Sequence, residues 1–309
     1  MDKDLEIIFR DLEEEGLMKV LWSRKLPKVR LVKNIKLEVD KVSIGEDDRS
    51  FIVKHSMMRK GLASVASSKM YREAGIYTPE VYLLRSEEKS LVNTIQEDIA
   101  NINGLETILP NDDLEYMKIG HKLTSKFKWQ LFYDRGLEEQ FLKFMTPVCL
   151  EQLKNIFLAD EVRTDFDRHH LNYFFYKRKG ENRYEGVIVF DLDMMKIYMY
   201  CGDLYTGNSR EDFKNFLVFP YESATPQMWN DNVCYKQRVV DICELIQDGV
   251  LSDGNIETLK KILQADFPNE LMQACKQQRL SRRVRNKVVS PVEYLWEYNR
   301  NTIGKELGL

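Results

Sequence analysis

The sequence predicts an α+β fold, rich in strands over its first hundred residues and helical over most of the remainder. Three patterns carry that prediction. Between residues 28 and 53, apolar side chains (Val29, Leu31, Ile35, Leu37, Val39) alternate with basic ones, the period of two that half-buries a strand. Beyond residue 114 the period becomes helical, with Leu150, Leu153, Ile156 and Phe157 on one face. Residues 165–193 read as a hairpin: an aromatic run at 173–176, a charged turn at 177–185 and an apolar arm at 186–190 that ends on Asp191.

A chain of 309 residues is long enough for one large or two ordinary domains and a substantial core. Its 46 Lys and Arg against 49 Asp and Glu leave a net charge of −3, which argues against a dedicated nucleic-acid binder. No apolar run approaches the roughly 20 residues that span a bilayer. The acidic start, Met1-Asp2-Lys3-Asp4, lacks the basic and apolar regions of a signal peptide. The five cysteines form no Cys-x-x-Cys pair, so buried thiols in a reducing, cytoplasmic setting are expected rather than bridges or a zinc site. A protein delivered into a host cell would carry the same signature.

Residues 4–22 place Leu5, Ile8, Phe9 and Leu12 at helical spacing, predicting an amphipathic helix. One strand is expected from residue 28 through Val39, then a turn at 45–48 and a second strand at 50–55, together a hairpin. On that second strand Phe51 and Val53 share one face while Ile52 and Lys54 share the other. Residues 61–74 are helix-competent, with Gly75 placed to end the helix. Short strands follow at 81–85 and 90–95, the second running into Gln96-Glu97-Asp98-Ile99. Residues 101–113 read as a polar loop, 114–127 and 136–144 as helices, and 150–158 as a helix that delivers the chain to the hairpin.

The hairpin carries the chemistry. Asp167, Asn172 five residues on, and Asp191 on the far arm can surround a phosphoryl-transfer centre. A loop carboxylate orients or deprotonates the attacking hydroxyl, while an amide and a second carboxylate offer hard oxygen ligands to Mg²⁺. The stretch Asp167-Arg168-His169-His170-Leu171-Asn172 resembles the loop of atypical members of the kinase-like superfold: HipA-like serine/threonine kinases, related effector kinases and phosphatidylinositol kinases. These typically carry Asp-Arg-His-x-x-Asn. Asp191 stands where their metal-binding aspartate stands, followed by Leu192-Asp193 rather than Phe-Gly.

The resemblance implies a bilobal protein-kinase-like fold. A small β-rich first lobe with its N-terminal helix would span 1–100, and a larger helical second lobe with the catalytic hairpin 101–309. It implies ATP and Mg²⁺ as cofactors and a protein serine or threonine hydroxyl as acceptor. By the same resemblance Asp167 is catalytic, Asn172 and Asp191 hold the metal, and Lys54 reaches the α- and β-phosphates. Ile52 would line the cleft, with Glu97, Asp98 and Ile99 as the hinge whose backbone holds adenine. Asp165 and Asp193 would lie behind these or serve as alternative ligands, and Arg163 would bond loop carbonyls. Two features depart from the pattern. Only Gly45 is available to cover phosphates, and the glutamate expected near the start of the 61–74 helix is missing: Ser64 stands near its place and Glu73 is turned away.

Other assignments stay open. The missing glutamate suits a pseudokinase that binds or scaffolds without turnover. A phosphatidylinositol-type lipid kinase is kept open by the basic segment 276–287, which reads otherwise as a solvated helix face or a contact for phosphate, anionic lipid or nucleic acid. His169 and His170 with Asp165 and Asp167 could suggest a metallohydrolase, but adjacent histidines in an extended segment point to opposite sides. Ser43, Ser50 and Ser56 are candidate autophosphorylation sites. Further on, 201–210 reads as a substrate-facing loop, 213–221 as buried aromatic chain, and 235–246 and 256–263 as amphipathic helices, the second after a turn at 252–255. Tyr294, Trp296 and Tyr298 are aromatic anchors.

Overall fold

The computed structural model describes residues 29–36, 39–44, 50–84, 91–99, 105–108, 125–165, 172–193, 195, 197–200, 209–218 and 234–309. The expected N-terminal helix, the turn at 45–48 with Gly45, most of the 114–127 helix, and residues 166–171 with Asp167, His169 and His170 lie outside them.

Alternation builds the first sheet, as expected, but into one more strand. The chain reverses after β1 (Val29–Lys36) and returns as β2 (Val39–Ile44), with Lys36 opposite Val39. The apolar alternation of the sequence runs on through Ile35, Leu37 and Val39 without a break, so alternation alone does not reveal the reversal. β3 (Ser50–Met57), β4 (Val81–Leu84) and β5 (Leu91–Glu97) complete an antiparallel sheet in the order β1-β2-β3-β5-β4. On β3, Phe51 and Val53 are buried while Ile52 and Lys54 are half-buried. Phe51 and Val53 pack with Val42, Tyr82 and Ile95.

The chain passes from β3 directly into α1 (Met58–Glu73). Gly75, at φ +81°, ends it in the left-handed conformation glycine adopts freely. Leu62, Ala63, Ala66, Met70 and Tyr71 are its buried face. At Gly61 a Cβ would stand 2.7 Å from Val92 Cγ1, so the missing side chain lets α1 lie close on β5.

The second sheet has the order β6-β7-β8, with β7 (Tyr173–Arg178) and β8 (Gly186–Val189) forming the expected hairpin. β6 (Leu105–Ile108), antiparallel to β7, lies in what reads as a polar loop. Four residues are too few to show a period. The hairpin's two faces part company, with Tyr173, Phe175, Val187 and Val189 in the main core and Tyr176 and Ile188 in a small cluster with Ile99.

Helices supply the rest. α2 (Ser125–Tyr133) and α3 (Arg135–Phe141) precede α4 (Pro147–Arg163). Thr146 caps α4, its Oγ1 accepting from Cys149 N at 3.2 Å. The apolar stripe stops near Leu158, yet the helix runs to Arg163 because Asp160, Glu161 and Arg163 each find a buried partner. α5 (Ile197–Tyr200), α6 (Ser209–Val218), α7 (Tyr235–Gln247) and α8 (Asp253–Gln264) follow. The segment 252–255 is no separate turn but the capping box of α8, Ser252 and Asn255 bonding each other's backbone N–H.

α9 (Phe267–Gln277) and α10 (Arg282–Asn299) divide the basic segment between two helices. α10 continues as a π turn over Arg300–Gly304. α9 packs along α1, with Lys69 Nζ 2.8 Å from Glu270 Oε2. Trp296 is 1% exposed, its ring 4.7 Å from Phe267 and its Nε1 donating to Ala265 O. Tyr294 and Tyr298 flank Phe213 at 6.0 and 6.3 Å. The anchors pack as expected. Among the described residues no helix is long and apolar enough to cross a membrane, and all four described cysteines are free.

Two outcomes follow from this packing. Trp296→Ala removes a fully buried ring and should cost about 3–5 kcal/mol in urea unfolding. Burial pushes the Cys243 thiol up to about 11 and Cys275 to about 12. Unfolded thiols ionise earlier, near pH 9, so the unfolded state loses protons first and stability falls as pH rises from about 9 towards 12. Urea midpoints at pH 8 and pH 10 should show the drop, and Cys275→Ala should lessen it.

Candidate active site

Lys54 stands on the face of the first sheet that carries α1. It is paired across the ladder with Thr94, two positions from the Ser56–Val92 pair that Gly61 approaches. From there its Nζ reaches Asp191 Oδ1 at 2.5 Å, joining side chains 137 residues apart. The two side chains keep 15% and 21% exposure, so the pair lies in a partly wet cleft between the sheets.

Asp191 follows the last residues of the hairpin. Tyr173 pairs with Val189, and Phe190 N donates to Asn172 O at 3.2 Å, so Asn172 and Asp191 emerge together at the hairpin mouth. Asn172 is 3% exposed. Asp191 sits at φ +59°, a left-handed conformation an L-residue holds only when its surroundings impose it. That conformation turns the chain sharply after β8. An amide oxygen and a carboxylate are hard donors of the kind Mg²⁺ takes, so the chemistry of these residues fits the implied ion. Among the described residues no group of three or more His, Cys, Asp or Glu could hold a metal.

The expected hinge is tied at both ends. Asp98 N donates to Ser50 O, and its Oδ2 accepts from Ser50 Oγ at 2.9 Å and from Lys41 Nζ at 2.5 Å. Glu97 is the last residue of β5, opposite Phe51. Ile99 is buried with Tyr176 and Ile188 of the second sheet. The side chains of Asp98 and Ile99 thus fasten the crossing between the sheets, and Ile52 is half-buried on the same face as Lys54.

Asp165 lies two residues beyond the end of α4, deep in the structure. It is 4% exposed and ion-paired with Arg163, because a carboxylate that deep needs a cation beside it. Arg163, fully buried, also donates from Nη1 to Leu192 O at 2.9 Å and Ser67 Oγ at 3.0 Å. Asp193 is half-buried. The first turn of α1 has no carboxylate, Ser64 is buried and Glu73 is exposed. Lys54 takes Asp191 as its partner instead.

Sequence reasoning missed one feature of the cleft. Phe174 and Phe190, both half-buried, stack at 4.7 Å with an interplanar angle of 25°. Phe174 comes two residues after Asn172 and Phe190 directly before Asp191, and both pack on the Ile99 cluster. The period of two was the available signal, since it puts Phe174 on the face of Tyr176 and Phe190 on the face of Ile188.

Arg163→Met should cost about 3–5 kcal/mol, because Asp165 would keep a buried charge without its partner. Urea unfolding at pH 7 measures it. The loss should shrink in Arg163→Met/Asp165→Leu, where both charges are gone.

No sequence family and no curated protein matches the chain. Solved structures do. The Helicobacter pylori proinflammatory kinase CtkA superposes with a TM-score of 0.61 at 14% identity, over 91% of this chain and 96% of that one. HipA of Shewanella oneidensis, solved in a toxin–antitoxin complex with HipB and operator DNA, gives 0.51 at 13% identity, over 94% and 71%. The fold of this chain is therefore the atypical kinase-like fold, an antiparallel sheet joined to a larger helical part.

Proposed function

We propose that this protein is a phosphotransferase that moves the γ-phosphate of ATP, with Mg²⁺, to a serine or threonine hydroxyl of a protein. The observation that carries the proposal is the Lys54–Asp191 pair at the mouth of the hairpin that begins on Asn172. A cation and a carboxylate meet there across the two sheets, at the mouth that also carries Asn172, where a polyphosphate would lie. The fold shared with CtkA and HipA supports it.

In this proposal the lobes meet near residue 100, and the hinge backbone at Glu97, Asp98 and Ile99 holds the adenine. Ile52 covers the base from the first sheet, and the stacked Phe174–Phe190 pair offers an apolar floor. Lys54 leaves Asp191 for the α- and β-phosphates, while Asn172 and Asp191 hold the metal. Bound Mg²⁺ neutralises charge between the phosphates. Asp167 orients the acceptor hydroxyl and takes its proton. Phosphoryl transfer asks for positioning and charge neutralisation rather than covalent work, which suits a site built on two rigid sheets. A protein acceptor accords with the near-neutral chain, and Ser43, Ser50 and Ser56 stay the candidate autophosphorylation sites.

Calorimetric titration of ATP with Mg²⁺ tests the proposal. Wild type should bind in a magnesium-dependent way, and Asp191→Ala should bind about tenfold more weakly or worse. Lys54→Ala should weaken binding as well. Asp167→Ala should keep its affinity within about threefold yet lose about 10²–10⁴ in transfer of labelled phosphate. Binding without transfer in the wild type would point to the pseudokinase instead, and phosphate appearing on phosphatidylinositol rather than protein to a lipid kinase. No magnesium-dependent nucleotide binding would overturn the proposal.

A further inference from the structure

The guanidinium of Arg163 joins three parts of the chain. Its Nη2 donates to Asp165 Oδ2, two residues before Asp167. Its Nη1 donates to Leu192 O, the residue after Asp191, and to Ser67 Oγ in the middle of α1. Its carbon lies 5.5 Å from the ring centre of Tyr71, one turn further along α1. Tyr71 in turn donates to Asp160 Oδ1 at 2.5 Å, returning to α4 one turn before Arg163. Asp165 is also bridged to Met195, so the entry to the 166–171 loop and the exit from Asp191 run side by side.

We infer that Arg163 is a positioning residue for phosphoryl transfer. It would set α1, the Asp167 loop and the Asp191 segment in register with one another. The role rests on the phosphotransferase proposed above and adds to it a residue that touches neither nucleotide nor acceptor. α1 lacks the acid that would tie it to Lys54, so a tie through Ser67 and Tyr71 to Arg163 takes over that task. An arginine suits it because its rigid fork of donors meets a carboxylate, a carbonyl and a hydroxyl at fixed angles. Lysine keeps the charge but, with one nitrogen on a flexible stem, cannot hold all three in that geometry. A misplacement of about 1 Å between reacting groups is enough to cost about a hundredfold in rate.

Arg163→Lys, which keeps the charge, and Ser67→Ala, which removes only the α1 tie, are the variants to compare with wild type. Two readouts are needed. The first is hydrogen exchange of the native protein without nucleotide. Residues 64–71 and 190–195 should exchange about tenfold faster in Arg163→Lys, while α8 and α10 stay at wild-type rates. In Ser67→Ala the change should be confined to 64–71. The second is steady-state kinetics. Arg163→Lys should lower kcat about tenfold and raise the Mg²⁺ concentration for half-maximal rate about tenfold, with KM for ATP within about threefold.

Exchange unchanged at 190–195, or accelerated evenly across the whole chain, would overturn the inference whether or not the protein binds ATP. So would an active wild type whose kcat and magnesium requirement survive Arg163→Lys. A wild type that neither binds nor transfers would instead overturn the phosphotransferase itself, and the positioning role with it.

Discussion

The candidate site depends on the Lys54–Asp191 contact. Its two residues come from different sheets and lie 137 positions apart, yet their charged atoms stand 2.5 Å apart. Two partly exposed charges give up much of their hydration to meet, so their net contribution to stability is small. Geometry is what the contact requires. β3 must turn Lys54 towards the second sheet, and the sheets must be clasped so that the reach is short. Asp98 holds β2 and β3 through Lys41 and Ser50, and Ile99 enters the apolar cluster of the hairpin. Val189 N reaches Tyr77 O at 2.9 Å from the other side. Asp191 completes the arrangement from a left-handed backbone, a cost held in place by the hydrogen bonds on either side of it.

Much of this was legible from residue order. Strict alternation puts Phe51 and Val53 on one face and Ile52 and Lys54 on the other, because a pleated strand leaves no other choice. The hairpin arms announced themselves through an aromatic run, a charged turn and an apolar run. The motif from Asp167 to Asn172 pointed to the fold, although its own loop lies outside the described residues. The C-terminal stop of α1 was visible in Gly75, which the structure shows at positive φ.

What stayed hidden has definite causes. The reversal between β1 and β2 hides inside an unbroken alternation, and β6 is too short to display any. α9 carries Phe267, Leu271, Ala274 and Cys275 at helical spacing behind Pro268, a signal present but overshadowed by the basic residues after it. The partners of buried charges are another matter. Arg163 and Asp165 sit two residues apart, a spacing that in a regular helix would turn them away from each other. They meet because the helix ends between them at Thr164, φ +65°, and no pattern of residue types reports such a turn.

The end of α4 ties the C-terminal helices to the neighbourhood of the candidate site. Three of its final four residues are charged and buried, and between them they reach α1, α7 and the segment after Asp191. Asp160 meets Tyr71 of α1, Glu161 meets Arg238 of α7, and Arg163 meets Asp165, Leu192 and Ser67. Val162 O accepts from both Tyr235 and Asn299, so α7 and α10 close the same junction from behind. Apolar packing tolerates small slips between helices, whereas a buried charge that loses its partner costs several kcal/mol. A helix end built from such charges therefore has few alternative positions. The chain leaves α4 at Thr164 from that fixed end, and the C-terminal helices supply two of the hydrogen bonds that hold it.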